Sequence, residues 1–373
     1  MMSLRSVRPR NARHAARVRV GSALALVGAL VGCGDGLVPP QEDLRVAPVD
    51  RPAAVRGIYV NARAAGNAGQ LQTLLDFVDG TVVNTVVVDV KERGEVSYVS
   101  SVSLAAEVGA ERDYIRDLRG LLLSLREADL YPIARIVVFS DRVLAEQRPE
   151  WAIRTTSGDV WIDPEGDRPW VDPYNEDVWA YNIALAREAI EAGFAEVQWD
   201  YVRFPDVADS VRADLVFPAA AGRTMDDAIE EFISESKSQL AMYEAPITSD
   251  VFGRVITEID GSDIGQEWSR LVRVNDVLLP MVYPALYHLG AFGISDPDAA
   301  PYETVRAAMD FAVNRMGQTP GARATIRPWL QAFSLRNAYG AAEMLAQIQA
   351  VEDAGLTEWL FWNPDSVYPE GVF

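Results

Sequence analysis

Runs of apolar residues recur along the chain at spacings that alternate between two periods. The uniformly apolar runs are "RGIYVNA" (56–62), "TVVVDVKE" (85–92), "YPIARIVVFS" (131–140), "EVQWDYVRF" (196–204), "PITSDVFG" (246–253), "VNDVLLPMVYP" (274–284), "IRPWLQAF" (326–333) and "EWLFWNP" (358–364). They are too continuous for strands with one wet face and suit parallel strands covered on both sides. Between them the spacing turns helical: Leu71, Leu74, Leu75 and Val78 repeat at i, i+3, i+4 and i+7, and Ile115, Leu118, Leu121, Leu122 and Leu125 continue the logic. Residues 175–192, 224–243, 263–272, 301–316 and 337–354 also read as helices. Eight strands with helices between them predict an α/β fold, a (β/α)8 TIM barrel. A doubly wound open sheet is the competing architecture, but no glycine-rich phosphate loop follows the first strand. Only nine residues follow the last run. The eighth helix is therefore expected to be missing or replaced, with segment 34–55 covering that position or leaving it bare.

The start of the chain reads differently. Residues 1–32 carry six arginines and no acid, and Val20–Val31 is apolar or small, the pattern of a secretory signal peptide. The segment ends in Leu30-Val31-Gly32-Cys33, and Cys33 is the only cysteine. This resembles a lipobox, so Cys33 is expected to be lipidated and to hold a bacterial lipoprotein at the cell envelope, on a membrane. Residues 33–55, rich in proline, glycine and charge, read as a tether, and 56–373 as the (β/α)8 domain. No disulfide can form within the chain from one cysteine.

Charge and composition narrow the chemistry. Hydrophobic residues make up 49% of the 373, enough for a sizeable core, and the formal charge is −20. Removing the leader with its six arginines takes that charge to −26. Nucleic acid is excluded as a partner, and neutral or cationic ligands are favoured. Beyond the leader there is one histidine, His288, and no cysteine after Cys33, which rules out a histidine-rich zinc site and leaves carboxylates as the reactive groups.

In such barrels the chemistry lies at the C-terminal strand ends. Polar residues late in the strands are Asp89 and Glu92, Asp200 and Arg203, Asp250, Tyr283, Gln331 and Asn363. Alternation puts Gln198 with Asp200, and Thr248 with Asp250, on shared faces. Asp200 and Asp250 are expected to meet at the mouth as the two carboxylates of glycoside hydrolysis, Asp200 ionised and Asp250 protonated, with Asp89 the reserve acid. Lys91, two residues beyond Asp89, offers that carboxylate an ion pair instead. Arg203 either holds a catalytic carboxylate ionised or neutralises Asp200 structurally. Tyr59, Tyr283, Trp329 and Trp362 are expected to present rings to sugar faces; Arg203, His288, Gln331 and Asn363 complete the expected substrate contacts.

"VVVDVKERGEVSY" (86–98), "AEVQWDYVRFP" (195–205), "SDVFG" (249–253), "IGQEW" (264–268), "LPMVYPALYHLGAFG" (279–293), "DPDAAPYETV" (296–305), "IRPWLQAF" and "EWLFWNP" resemble the putative glycosyl hydrolase domain family. The resemblance runs in order from about residue 56 to the end. It implies a TIM barrel acting on a polysaccharide; no cofactor is expected. More distantly, an acid ending strand 4 and another ending strand 5 resemble the alpha-amylase arrangement, in which the strand-5 acid is a glutamate where this chain has Asp250. The expected function is a lipid-anchored glycoside hydrolase acting on an envelope or extracellular polysaccharide. Two alternatives stand beside it: a non-catalytic carbohydrate-binding barrel, and a metal-dependent enzyme in which Asp89, Asp200 and Asp250 hold Mg²⁺ or Ca²⁺.

Overall fold

A computed structural model describes residues 46–166, 168–258 and 263–373. The predicted leader, Cys33 and most of the tether lie outside the described residues. The eight apolar runs form β1 (Arg56–Val60), β2 (Thr85–Glu92), β3 (Tyr131–Val137), β4 (Glu196–Asp200), β5 (Ile247–Phe252), β6 (Val277–Met281), β7 (Trp329–Gln331) and β8 (Trp359–Trp362). Each pairs in parallel with the next, and β8 pairs with β1, so the sheet closes on itself as a (β/α)8 barrel. At the β6–β7 seam Thr325–Ile326 pairs with β6 first, and Trp329 resumes the ladder beyond Pro328, which has no N–H to donate.

Among the described residues each crossover carries one helix of seven residues or more: α1 (Ala68–Val78), α2 (Leu118–Glu127), α3 (Glu176–Ala192), α4 (Met225–Leu240), α5 (Trp268–Val274), α6 (Pro301–Gln318) and α7 (Ala341–Asp353). Their starts are set locally. Asn67, Asp117, Asn175 and Glu267 each accept backbone N–H bonds as N-caps, and Thr224 with Asp227 forms a capping box. The helix expected over 263–272 begins at Trp268 because Glu267 caps it; Gln266, just before, is buried and turned to the strand ends.

Two apolar layers follow from strand alternation. The outward faces of the strands and the helices form one large core. A smaller one fills the barrel interior with Val87, Ile133, Leu279, Trp329 and Leu360, closed below by Val55. Beneath it Arg327, fully buried, pairs with Glu196 at 2.6 Å and Glu358 at 3.0 Å. The missing eighth helix is replaced by the C-terminal tail, which corrects the expectation of segment 34–55 or nothing at that position. Phe373 stacks on Trp359 and meets Phe77 of α1, while the Tyr368 hydroxyl donates to the carbonyls of Tyr59 and Phe361.

Candidate active site

The upper layer of the barrel is polar where the lower layers are apolar, and one arginine organises it. Arg135 points inward from β3, level with Asp89 on β2. Its Nη1 donates to Asp89 Oδ1 at 2.5 Å and Glu92 Oε2 at 2.7 Å. Its Nε and Nη2 both donate to Asp200 Oδ2, at 3.0 and 2.5 Å. The second oxygen of Asp200 accepts the Tyr201 N–H at 2.6 Å. Asp89, Arg135 and Asp200 are all buried. Burial pulls the Arg135 pKa down, but Asp200, Asp89 and Glu92 together push it well above the usual value. The guanidinium is therefore a fixed positive charge.

One strand on, Asp250 has no such partner. In register β5 follows β4 through Ser249 opposite Trp199, so Asp250 comes level with Asp200 on the same inward face. Its carboxyl accepts two bonds from Gln198 Nε2, both 2.9 Å, and one from Trp329 Nε1 at 2.7 Å. Burial, and then the charge of Asp200, push its pKa well above the ordinary 3.8, against the pull of Arg135, Gln198 and Trp329. Asp89 is also raised, to about 6, by burial first, with Arg135 opposing and Glu92 adding. Gln266 anchors the ends of β4 and β5, donating to the Val202 and Asp250 carbonyls and accepting from the Phe252 N–H.

Several sequence expectations are corrected here. Arg203 forms no ion pair with Asp200. Tyr201 takes a left-handed conformation, φ 48°, which ends strand alternation. Arg203 lies instead among the rings of Trp170, Tyr201 and Phe252, its guanidinium carbon 5.1, 4.9 and 4.3 Å from their centroids. Lys91 is not the partner of Asp89. The β2–β3 register shifts between Asp89 and Lys91, a bulge at Val90 that turns Lys91 outward to Asp141 at 2.6 Å and Asn182 at 2.8 Å. Trp329 and Tyr283 are buried, so neither offers a free ring face; Trp329 acts through its N–H. Gln331 is fully buried and ties the Ala285, Asp298 and Phe333 loops together, and Asn363 is held in a turn by Ala332 and Asp365. His288 is exposed on the loop after β6 and bonds to Leu289 O, with no contact to the carboxylates. Tyr59 and Trp362 do meet the site. The Tyr59 hydroxyl donates to Asp89 Oδ2 at 2.5 Å, and its ring stacks on part-exposed Trp362, which lies 4.9 Å from the Arg135 guanidinium.

The organising residue went unread in the sequence. In "YPIARIVVFS" a period of two from Tyr131 through Ile133 reaches Arg135, a charge facing inward in an otherwise apolar strand. That was the available signal. Asp89 and Asp200 converge on this guanidinium, which supplies the positive charge that the metal alternative assigned to a divalent ion.

Comparison with known proteins places the chain in a family. The model of the putative glycosyl hydrolase domain matches residues 57–368. Among solved structures, a hypothetical protein from Ruminiclostridium thermocellum is 32% identical over 52% of this chain and 97% of that one, with a TM-score of 0.48. The PgaB (BpsB) glycoside hydrolase domain from Bordetella bronchiseptica is 12% identical over 84% of this chain and 95% of that one, at 0.60. TtGalA, an alpha-galactosidase from Thermus thermophilus, is 15% identical over 87% and 61%, at 0.52. The last two share the barrel fold. No curated protein matches. On the family match, which spans every strand of the barrel, the chain belongs to the putative glycosyl hydrolase domain family.

Proposed function

We propose that this barrel hydrolyses glycosidic bonds in a polysaccharide or oligosaccharide, with Asp200 as the ionised carboxylate and Asp250 as the acid. The observation that carries the reading is the asymmetry of two neighbouring buried carboxyls. Asp200 is clamped by two donors of one guanidinium, and Asp250 is held by neutral donors only. Burial beside a like charge favours the protonated form of Asp250, which leaves Asp200, paired with the guanidinium, as the group to attack. Glycoside hydrolysis needs that division. Membership of the family and a fold shared with the PgaB glycoside hydrolase domain and an alpha-galactosidase support it.

In the proposed reaction Asp250 protonates the glycosidic oxygen while Asp200 attacks the anomeric carbon, and the carbon–oxygen bond to the leaving sugar breaks. Asp250, now ionised, takes a proton from water, which displaces Asp200 and restores both groups. Asp200 and Asp250 come from adjacent strands about 4.7–4.9 Å apart, and in the proposed reaction their carboxyls act at the roughly 5–5.5 Å separation of retaining enzymes. Trp362, part-exposed beside the site, is one ring that a sugar could pack against.

The test is a reducing-end screen of bacterial exopolysaccharides, followed by NMR of the anomeric product. Retention is expected. Asp200→Asn should lose about 10³-fold or more in kcat, the barrier contribution of a nucleophile being several kcal/mol, with an unchanged circular dichroism spectrum. An Asp200→Asn enzyme within tenfold of wild type would reduce Asp200 to an ion-pair residue, and turnover of nothing in the screen would favour a carbohydrate-binding barrel.

A further inference from the structure

Arg203, displaced from the role the sequence suggested, is left with an unusual environment. Its side chain is more than nine-tenths buried, at 8% exposure, yet it pairs with no described carboxylate. One hydrogen bond is made, from Nη1 to its neighbour Phe204 O at 2.9 Å. Burial pulls its pKa below the usual arginine value, against the opposing pull of Tyr201, Asp200, Asp206 and Asp163, whereas Arg135, bonded to three carboxylates, is raised. Three aromatic rings surround the guanidinium, and it lines a cavity of about 590 Å³ beside the barrel mouth.

A second cation faces the same cavity. Arg168 bonds through Nε to Ser140 Oγ at 3.1 Å and likewise has no described carboxylate partner. The acids nearby are largely engaged. Asp206 pairs with Arg254 at 3.1 Å, and Asp163 accepts the Trp170 indole N–H at 3.2 Å and the Glu165 backbone N–H at 3.0 Å. Glu165 is exposed at the rim. A desolvated guanidinium without a bonded carboxylate is costly, and its planar fork fits a carboxylate or an ester oxyanion through two parallel bonds. Aromatic walls suit a sugar ring.

We propose that Arg203 and Arg168 form a subsite for a sugar unit bearing an acidic substituent, a carboxylate or a sulfate or phosphate ester, adjacent to Asp200. The two sites are joined by one residue: the Tyr201 N–H bonds Asp200 and its ring walls the Arg203 cavity. The inference deepens the glycosidase reading by naming the substrate class, an acidic polysaccharide. The chain's net negative charge disfavours such a polymer at a distance, but salt screens that field over about 8–10 Å, and the contact itself is cationic.

The test is ligand-observed NMR on the full chain with four probes: methyl glucuronoside, glucose 6-sulfate, glucose 6-phosphate and methyl glucoside, with glucosamine as the cationic control. Binding of the glucuronoside at least tenfold tighter than methyl glucoside, lost in Arg203→Gln, supports a carboxylate subsite. The same pattern for the 6-sulfate or 6-phosphate alone supports the ester. Should Arg203→Gln fail to fold, Arg168→Gln is read instead, with a threefold or greater loss expected for the acidic probe only. Equal binding of acidic and neutral probes, preference for glucosamine, or an acidic probe indifferent to both variants overturns the proposal. These measurements need no turnover. Hydrolysis of neutral glycans without acidic-sugar binding sinks the subsite and keeps the hydrolase; acidic-sugar binding without any hydrolysis does the reverse.

Discussion

Replacing Arg135 by methionine would leave Asp89 and Asp200 facing one another across an apolar gap, each without its cation. Removing one partner from a buried charge cluster costs about 3–5 kcal/mol, so Arg135→Met is expected to lower Tm sharply. Arg135→Lys separates positioning from charge. A point charge cannot bridge Asp89, Glu92 and Asp200 as the planar fork does, so Arg135→Lys should fold and lose on the order of 10²-fold in kcat. A pH profile unchanged in Arg135→Lys would show the fork to be dispensable. The raised carboxyls also set a pH dependence of stability. Asp89 titrates at about 6 in the folded chain against an ordinary 3.8. The native state therefore holds the proton more tightly, and the associated stability is complete below the lower value and lost as pH rises through about 6. Asp250, whose pKa is also raised by burial and by the charge of Asp200, contributes in the same direction. Thermal melts of wild type should decline across that range. Asp250→Asn, a near-isostere of the protonated form, should decline less while losing activity; a steeper decline in the variant would mean that Asp250 is ionised in the native state.

Among the elements, the tail after β8 carries the most consequence per residue. Tyr368, Val372 and Phe373 occupy the place of an eighth helix against Trp359, Phe361 and Phe77. Phe373→Ala removes an aromatic that contacts four rings and is expected to cost about 3 kcal/mol, the lower end for a core aromatic because it is half-buried. Tyr368→Phe forfeits one donor shared between two carbonyls and should cost about 1 kcal/mol. Urea melts measure both. A Phe373→Ala midpoint equal to wild type would mean that the tail is an ornament on a barrel already closed. The bulge at Val90 acts at the same scale: one extra residue sends Lys91 out to Asp141 and brings Glu92 in to Arg135.

For the whole molecule, the anchoring of the domain is a proposal resting on the sequence, since Cys33 lies outside the described residues. Among those described, no helix is long and apolar enough to cross a membrane. If Cys33 is acylated after cleavage behind Gly32, the wild-type chain should fractionate with membranes and Cys33→Ser should not. Equal membrane fractions for both would remove the anchor. The base of the barrel is tied to the region ahead of β1 by Arg51–Glu358 at 2.7 Å and by burial of Val46 and Val55, so part of the predicted tether packs as domain.

Hydrophobic periodicity alone determined the eight strands and their parallel pairing, because apolar runs buried on both faces have few other solutions. The motifs carried the family, and alternation within β4 and β5 put Asp200 and Asp250 on inward faces. What tertiary structure decided was the partner of each charge. A bulge at Val90 turned Lys91 away from Asp89, and a left-handed Tyr201 turned Arg203 away from Asp200. Arg135, 65 residues before Asp200, took both places. Pairing of buried charges depends on distances of a few ångströms between strands far apart in sequence, and one residue of register or one positive φ is enough to redirect a side chain to the opposite face.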